Sequence, residues 1–513
     1  MSTLRAKHRV LAIAGFGAAV VLLFWAMAAL SAWVTREHLA KHAQLELATL
    51  RSGQPLWQWR LRGPGDLVAH RVFGNADIAR GPNGLRVTSR DGSTFDLGLP
   101  VAGPVDLAHW PLLHLQLQSD AEGTLGLIYQ TSEFSTACTA NAVGRIPPHG
   151  NELVIDLRSL SWHSDSGKPC RPPDVVTYLL RLRPQLPAHA VLQIGNVDLQ
   201  AAQPAALPVS IAADMADIRL PSALAVAQAG LTAASAQYGG RSAPLVRLPA
   251  GISAETMLSL RDLVKRHWPG ALVLPFGQAF APAREEALPG WLDWGVCAAY
   301  LIGLVWIALR QTREVTRPWL EIAAIAAGPL WLIAGLRWGT QLSIPGVTAF
   351  VAALVFAAQS DWRRRPVWWR WLGRSWADWL WPLVPLAVTV ALTLVDGHGL
   401  VHLEPRHMLA YLGWALLQQW AMLAFVMGRL RLTALPQPVI ILITAALFGL
   451  LHTPNGSLMQ LCFMAELWWA WRFLKSPCLV PIAVAHAICA LLVESGLTGH
   501  MLRSLGVSAR FFL

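Results

Sequence analysis

Residues 444–455 read TAALFGLLHTPN. The run is apolar up to His452 and then breaks at Thr453, Pro454 and Asn455. Phe448 and His452 are four apart, so on a helix they share one face. The run lies in an apolar block, 437–452, and further blocks follow at 457–474 and 479–498. Upstream, blocks recur at 291–309, 319–336, 342–359, 379–395 and 407–428. Each approaches the roughly 20 residues needed to cross a bilayer. The whole chain of 513 residues is 54% hydrophobic and 14% charged, against about 25% charged in soluble domains. The reading is a polytopic α-helical membrane protein. Many of its 25 tryptophans flank the apolar blocks, where amphipathic rings favour the headgroup level.

One more apolar run, 10–33, stands near the N-terminus behind Arg5, Lys7 and Arg9. Ala26-Met27-Ala28 offers a signal-peptidase-like site, but the run exceeds the roughly 7–15 residues of a secretory h-region. It reads as an uncleaved anchor over 1–33, which gives 1 + 8 transmembrane helices. With the N-terminus in the cytoplasm, the cationic loops all fall inside: Arg310, Arg313 and Arg317; Arg363 to Arg365; Arg429 with Arg431; Arg472 with Lys475. The loop 396–405, poor in Lys and Arg, falls outside. The formal charge of +11 is then that of cytoplasmic loops, and nucleic acid is not an expected partner. The chain is expected in a bacterial inner membrane, with 34–290 in the periplasm.

Residues 34–50 read as a helical stalk. Over 51–200 the pattern turns to period two. In LLHLQLQS (112–119), Leu113, Leu115 and Leu117 share one face, with His114, Gln116 and Gln118 on the other. Similar segments, such as ELVIDL (152–157) and VLQIGNVDLQ (191–200), are separated by Gly and Pro clusters. This reads as an all-β sandwich, loosely like the jelly-roll modules of carbohydrate-binding proteins at the level of fold alone. Trp57, Trp59, Trp110 and Trp162 are read as packing residues. Cys138 and Cys170 lie in this polar region and are a candidate disulfide, whereas Cys297, Cys462, Cys478 and Cys489 sit in or beside apolar blocks as small hydrophobes. Residues 201–290 read as a linker (201–210) and a small α/β element, with a helix at 253–268 between strands at 244–249 and 271–275. The membrane domain occupies 291–513.

Candidate chemistry lies between 415 and 495. His452 closes FGLLH, His486 lies in PIAVAHAICA (481–490), and Gln418-Gln419 lies in LLQQWAMLAFVMG (416–428). Glu466 sits mid-block, and an ionisable residue at that depth needs a partner or a water-filled cavity. Glu494 lies about 12 Å along its helix from His486. His402, Glu404 and His407 read as a solvated loop.

These pieces resemble the CPBP family (CAAX proteases and bacteriocin-processing enzymes). Its members show a glutamate pair in EExxxR, then FxxxH, then HxxxN or a variant; the likeness spans about 375–498. The resemblance implies peptide hydrolysis in a membrane cavity, with two histidines and a glutamate holding Zn²⁺ and a glutamate as base. It would make His452 and His486 metal ligands. The departures fall on the reacting groups. Gln418 and Gln419 stand where the glutamates belong, Leu423 replaces the arginine and Ala490 the asparagine. Glutamine is neutral and takes no proton near neutral pH. The expectation is therefore a degenerate site in a scaffold that binds a membrane protein or peptide partner, with zinc only if the site is active. The alternatives are an active metalloendopeptidase with Glu466 as substitute carboxylate, and an envelope polysaccharide or export factor with a glycan-binding outer domain.

Overall fold

In a computed structural model of the chain, the described residues are 2–51, 57–101, 110–130, 136–149, 152–170, 179–200, 217–238, 245–268, 271–278, 291–309, 316–334, 343–364, 367–397, 399–499 and 502–512. The expected linker at 201–210 and the loop residues Arg310, Arg313 and Arg365 lie outside them. The chain divides into two compact units: 1–37 with 252–258 and 285–513, and 38–251 with 259–284.

Helix α1 (Ser2–Arg51) is a single helix, so the expected anchor and stalk are continuous. No Gly or Pro interrupts TREHLAKHAQLELATLR, and nothing in it ends the helix at the membrane surface. Among the described residues, the second unit then holds eleven antiparallel strands: β1 (Gln58–Arg60), β2 (Ala76–Gly81), β3 (Gly84–Ser89), β4 (Leu97–Leu99), β5 (Leu112–Ser119), β6 (Gly123–Gln130), β7 (Cys138–Ile146), β8 (Glu152–Asp156), β9 (His163–Ser164), β10 (Leu179–Gln185) and β11 (Val191–Gln200). One sheet runs β2-β3-β11-β5-β8, with β1 also on β11; the other runs β4-β10-β6-β7-β9. Their inner faces supply one core: Leu85, Val87, Leu113, Leu115, Leu192 and Val197 from the first, and Leu97, Leu125, Leu127, Leu180 and Leu182 from the second. This is the face-to-face packing that period-two apolar segments favour. The β2–β3 turn needs Gly84, whose φ is +130° and whose Cβ would sit 2.3 Å from the Ile194 carbonyl oxygen.

Trp59 and Trp162 are buried, and Trp57 and Trp110 pack against the core in an edge-to-face pair, 5.8 Å between centroids. Cys138 and Cys170 form a disulfide. On the outer face of β5, His114 is sandwiched between two carboxylates: Nδ1 lies 3.0 Å from Asp198, and Nε2 bonds Glu152. Burial opposes charging this ring, but the two carboxylates outweigh it and hold the His114 pKa above its usual value.

Beyond the sandwich, β12 (Asp217–Arg219), β13 (Leu245–Arg247) and β14 (Leu272–Leu274) form a parallel sheet connected through α2 (Leu224–Tyr238) and α3 (Ala254–His267). Parallel neighbours require crossover helices, and the small α/β element supplies them. Leu245, Leu272 and Leu274 bury against Ala43 and Leu47 of α1.

The first unit carries α4 (Trp291–Leu309), α5 (Arg317–Ala334), α6 (Ile344–Arg363), α7 (Trp376–Asp396), α8 (Pro405–Leu430), α9 (Gln437–Leu450), α10 (Gly456–Lys475) and α11 (Leu479–Gly496). A helix thus occupies every apolar block. Among the described residues, six helices (α1, α4, α6, α7, α8 and α11) are long and apolar enough to cross a membrane. The other three fall short for visible reasons: α9 has 14 residues, while α5 carries Arg317 and Glu321, and α10 carries Glu466, Arg472 and Lys475. Small residues let the helices approach: a Cβ on Gly328 of α5 would meet Ala353 of α6 at 2.6 Å.

One cluster departs from the sequence reading. Arg429 is the last-turn cation of α8, buried at 3% exposure, rather than a solvated loop residue. It meets Glu321 at 2.5 Å, Asp361 at 3.3 Å and Ser360 at 3.1 Å. Glu321 also takes Arg317 at 3.0 Å and Arg364 at 3.3 Å. The ion pairs tie α5, α6 and α8 at one end.

Candidate functional site

The Gln418-Gln419 pair ends the regular part of α8, and residues 420–426 are wound as a π-helix. A π stretch adds a residue to the turn and is frequent at functional sites. α9 delivers Phe448 and His452 and then breaks. Asn455 caps α10 by accepting from Leu458 N–H at 3.1 Å, and its amide donates to the Ser504 and Gly506 carbonyls. The turn holding His452 is thereby fixed to the C-terminal segment. α10 delivers Glu466, and α11 delivers His486.

These elements bring five of the sequence candidates together. The Phe448 ring lies 5.0 Å from the His452 ring and 5.5 Å from that of His486. Gln419 Nε2 donates to Glu466 Oε2 at 3.0 Å and to His486 Nδ1 at 3.3 Å. Gln419 and Glu466 are fully buried. His452 and His486, with Gln418, line a cavity of about 750 Å³ whose other walls are mostly apolar side chains of α5, α7, α8, α10 and the C-terminal segment. Glu494 lies elsewhere and pairs with His407 at 2.9 Å. His402 and Glu404 are not among the cavity-lining residues.

The bonding fixes the ring tautomers. A carbonyl only accepts, so His452 Nδ1, 2.8 Å from Phe448 O, is its N–H donor, and a neutral ring keeps its lone pair on Nε2. An amide nitrogen only donates, so His486 Nδ1 is the acceptor and Nε2 carries the hydrogen.

Zinc in a catalytic site takes three protein ligands. Among the described residues no three His, Cys, Asp or Glu side chains are grouped to hold a metal. His452 Nε2 has a free lone pair, but His486 presents an N–H, and Gln418 and Gln419 are neutral amides. The donor set does not fit Zn²⁺.

Comparisons with known proteins bear on this region. Residues 405–492 match the family model of the type II CAAX prenyl endopeptidase Rce1-like proteins. The Rce1-like match runs from the start of α8 into α11 and takes in all five site residues. It is narrower than 375–498. No curated protein matches the chain. Similar solved structures include the family 11 carbohydrate-binding module of cellulosomal cellulase Lic26A-Cel5E of Clostridium thermocellum, at 12% identity and a TM-score of 0.21, covering 26% of this chain and 82% of that one. An exo-beta-agarase matches at 18% identity and a TM-score of 0.21, over 27% of this chain and 24% of that one. Neither likeness is close enough to assign a function.

Sequence reading missed three features of the site. Trp469 packs on His486, 5.2 Å between rings, and Tyr411 meets the same ring edge-on. Arg510, beyond the last apolar block, lines the cavity. The two aromatics carried a signal, since they lie one turn from Glu466 and two turns from Gln418 on their helices.

Proposed function

We propose that this chain is a non-hydrolytic relative of the CPBP proteases: a multi-pass protein of a bacterial inner membrane that uses the former catalytic cavity to bind an apolar partner. In this reading the N-terminus is cytoplasmic and residues 34–290 are periplasmic. The observation that carries the proposal is the Gln419 amide, which joins Glu466 to His486. At that position a glutamate would be a base or a metal ligand. Glutamine instead donates its hydrogens to Glu466 and to His486, a carboxylate and a histidine that could have served. Glu466 is thereby engaged by an amide, and His486 Nδ1 accepts from the same amide. Among the described residues no carboxylate lines the cavity, so no carboxylate base faces a substrate there.

The Rce1-like match supports descent from an endopeptidase. The mostly apolar cavity supports retention of binding. The test is the double substitution Gln418→Glu with Gln419→Glu in the full-length protein. Cleavage of a co-expressed membrane substrate is expected only in the double variant; equal cleavage by the wild type would defeat the proposal. A second reading, an active metalloendopeptidase using Glu466, draws on the contact of Glu466 with Gln419 beside His486. It requires that Glu466→Gln abolish a wild-type cleavage activity.

A further inference from the structure

Residues 367–381, between α6 and the first turns of α7, read VWWRWLGRSWADWLW, with six tryptophans in fifteen residues. This segment is tied to the turn between α10 and α11. Arg370 N–H donates to the Pro477 carbonyl at 2.9 Å, and Leu479 N–H donates to the Arg370 carbonyl at 3.0 Å. Asp378 pins the junction and is buried. Its Oδ1 accepts from Arg472 at 3.0 Å and from the Ser476 hydroxyl. Its Oδ2 accepts from Arg370 at 3.2 Å and from the backbone N–H groups of Arg374 at 2.9 Å and Ser375 at 3.2 Å. Five donors thus occupy the roughly four lone-pair sites of one carboxylate. The same junction carries Arg374 and Lys475, whose exposed side chains make no ion pair or hydrogen bond among the described residues. Four cations therefore stand against one carboxylate that has no acceptor capacity left.

The apolar groups at this junction face outward as well. Trp371, Leu372 and Leu380 are more than half exposed, and Trp376 is 84% exposed. Both α7 and α11 are long and apolar enough to cross a membrane, and both begin here. The exposed rings and the unpaired cations therefore lie at a span end, the level where acyl chains meet headgroups.

We propose that this junction binds an anionic phospholipid. The phosphate oxygens accept from Arg374 and Lys475, while Arg370 and Arg472 add positive charge behind them. Trp371 and Trp376 hold the glycerol backbone and the upper acyl chains. A phosphodiester brings acceptors and negative charge, the complement of this surplus of charged donors. A zwitterionic lipid brings a further cation to a place already crowded with them. None of these side chains lines the cavity, so the inference stands apart from the proposed function.

The purified full-length protein in neutral detergent is titrated with dioleoyl phosphatidylglycerol or dioleoyl phosphatidylcholine, and binding of the first lipid is followed by native mass spectrometry. Phosphatidylglycerol is expected to bind about tenfold more tightly, given the attraction of each basic side chain near a headgroup. The ratio should drop to about threefold in Arg374→Gln and to about one when Lys475→Gln is added. Unchanged phosphatidylcholine binding shows that these variants are folded. Trp376→Ala should weaken both lipids by similar factors. Arg406→Gln removes an exposed cation at the start of α8 and should leave the ratio unchanged. Equal affinity of the wild type for the two lipids overturns the inference. So does a loss in Arg406→Gln as large as that in Arg374→Gln, which would mean that net charge alone attracts the lipid. Complete displacement of phosphatidylglycerol by millimolar inorganic phosphate overturns the lipid in favour of a free oxyanion.

Discussion

His114 in the β-sandwich and His486 in the membrane unit are both buried, yet their neighbours differ in kind. His114 has a carboxylate on each ring nitrogen, one of them, Glu152, largely exposed to water. His486 has a neutral amide on Nδ1 and rings of Phe448, Trp469 and Tyr411 around it. The same side chain is set up to be charged in one unit and uncharged in the other. Where water reaches the partners, an ion pair can form cheaply. In an apolar bundle each charge needs a dedicated partner. The membrane unit concentrates its charges in clusters at helix ends, around Glu321 and around Asp378, which takes Arg370 at 3.2 Å and Arg472 at 3.0 Å. Around His452 and His486, among the described residues, the site holds a single carboxyl, Glu466.

The strongest way to break this contrast is to unpair a clustered charge. Arg429→Met leaves Glu321 and Asp361 without their buried partner and should cost about 3–5 kcal/mol. Equilibrium unfolding in mixed detergent measures it; a loss under about 1 kcal/mol would show that the cluster does not hold α5, α6 and α8 together. Next comes Glu466→Ala, which strands the Gln419 amide and should cost about 1–3 kcal/mol. Glu466→Gln keeps an acceptor for that amide and should stay within about 1 kcal/mol of wild type, because a neutral partner suffices. If the two Glu466 variants are equally damaged, the carboxylate charge matters to the fold and the site is not a neutral one.

The smallest effect belongs to the sandwich. Because the carboxylates raise the His114 pKa on folding, its contribution is full below the unfolded value of about 6.5 and disappears as pH rises through the folded value. The unfolding midpoint of the β region, followed by hydrogen exchange in the intact protein, should decline as pH rises above about 6.5. His114→Gln should flatten that decline; an unchanged slope would mean that another group sets it.

Local pattern made much of this legible. Alternation in LLHLQLQS put Leu113, Leu115 and Leu117 in the core and His114 on the opposite face of β5. Apolar blocks marked the helices, and FGLLH with His486 marked the site. What pattern could not reach were pairings between distant positions. Gln419 and Glu466 are 47 residues apart and Arg429 and Glu321 108 apart. Arg429 read as a loop cation because nothing local distinguishes a solvated arginine at a helix end from one turned inward to a carboxylate. The π winding after Gln419 was hidden as well, since its residues are ordinary helix formers and packing decides the turn.

The central claim is that the Gln419 amide has replaced the metal chemistry of an Rce1-like site with neutral hydrogen bonding. Metal content measures it most directly. The full-length protein, purified without chelator and equilibrated with zinc before desalting, should retain well under one zinc per chain, while the Gln418→Glu, Gln419→Glu double variant should retain more. One zinc per wild-type chain, lost in His452→Ala with the fold intact, would contradict the account.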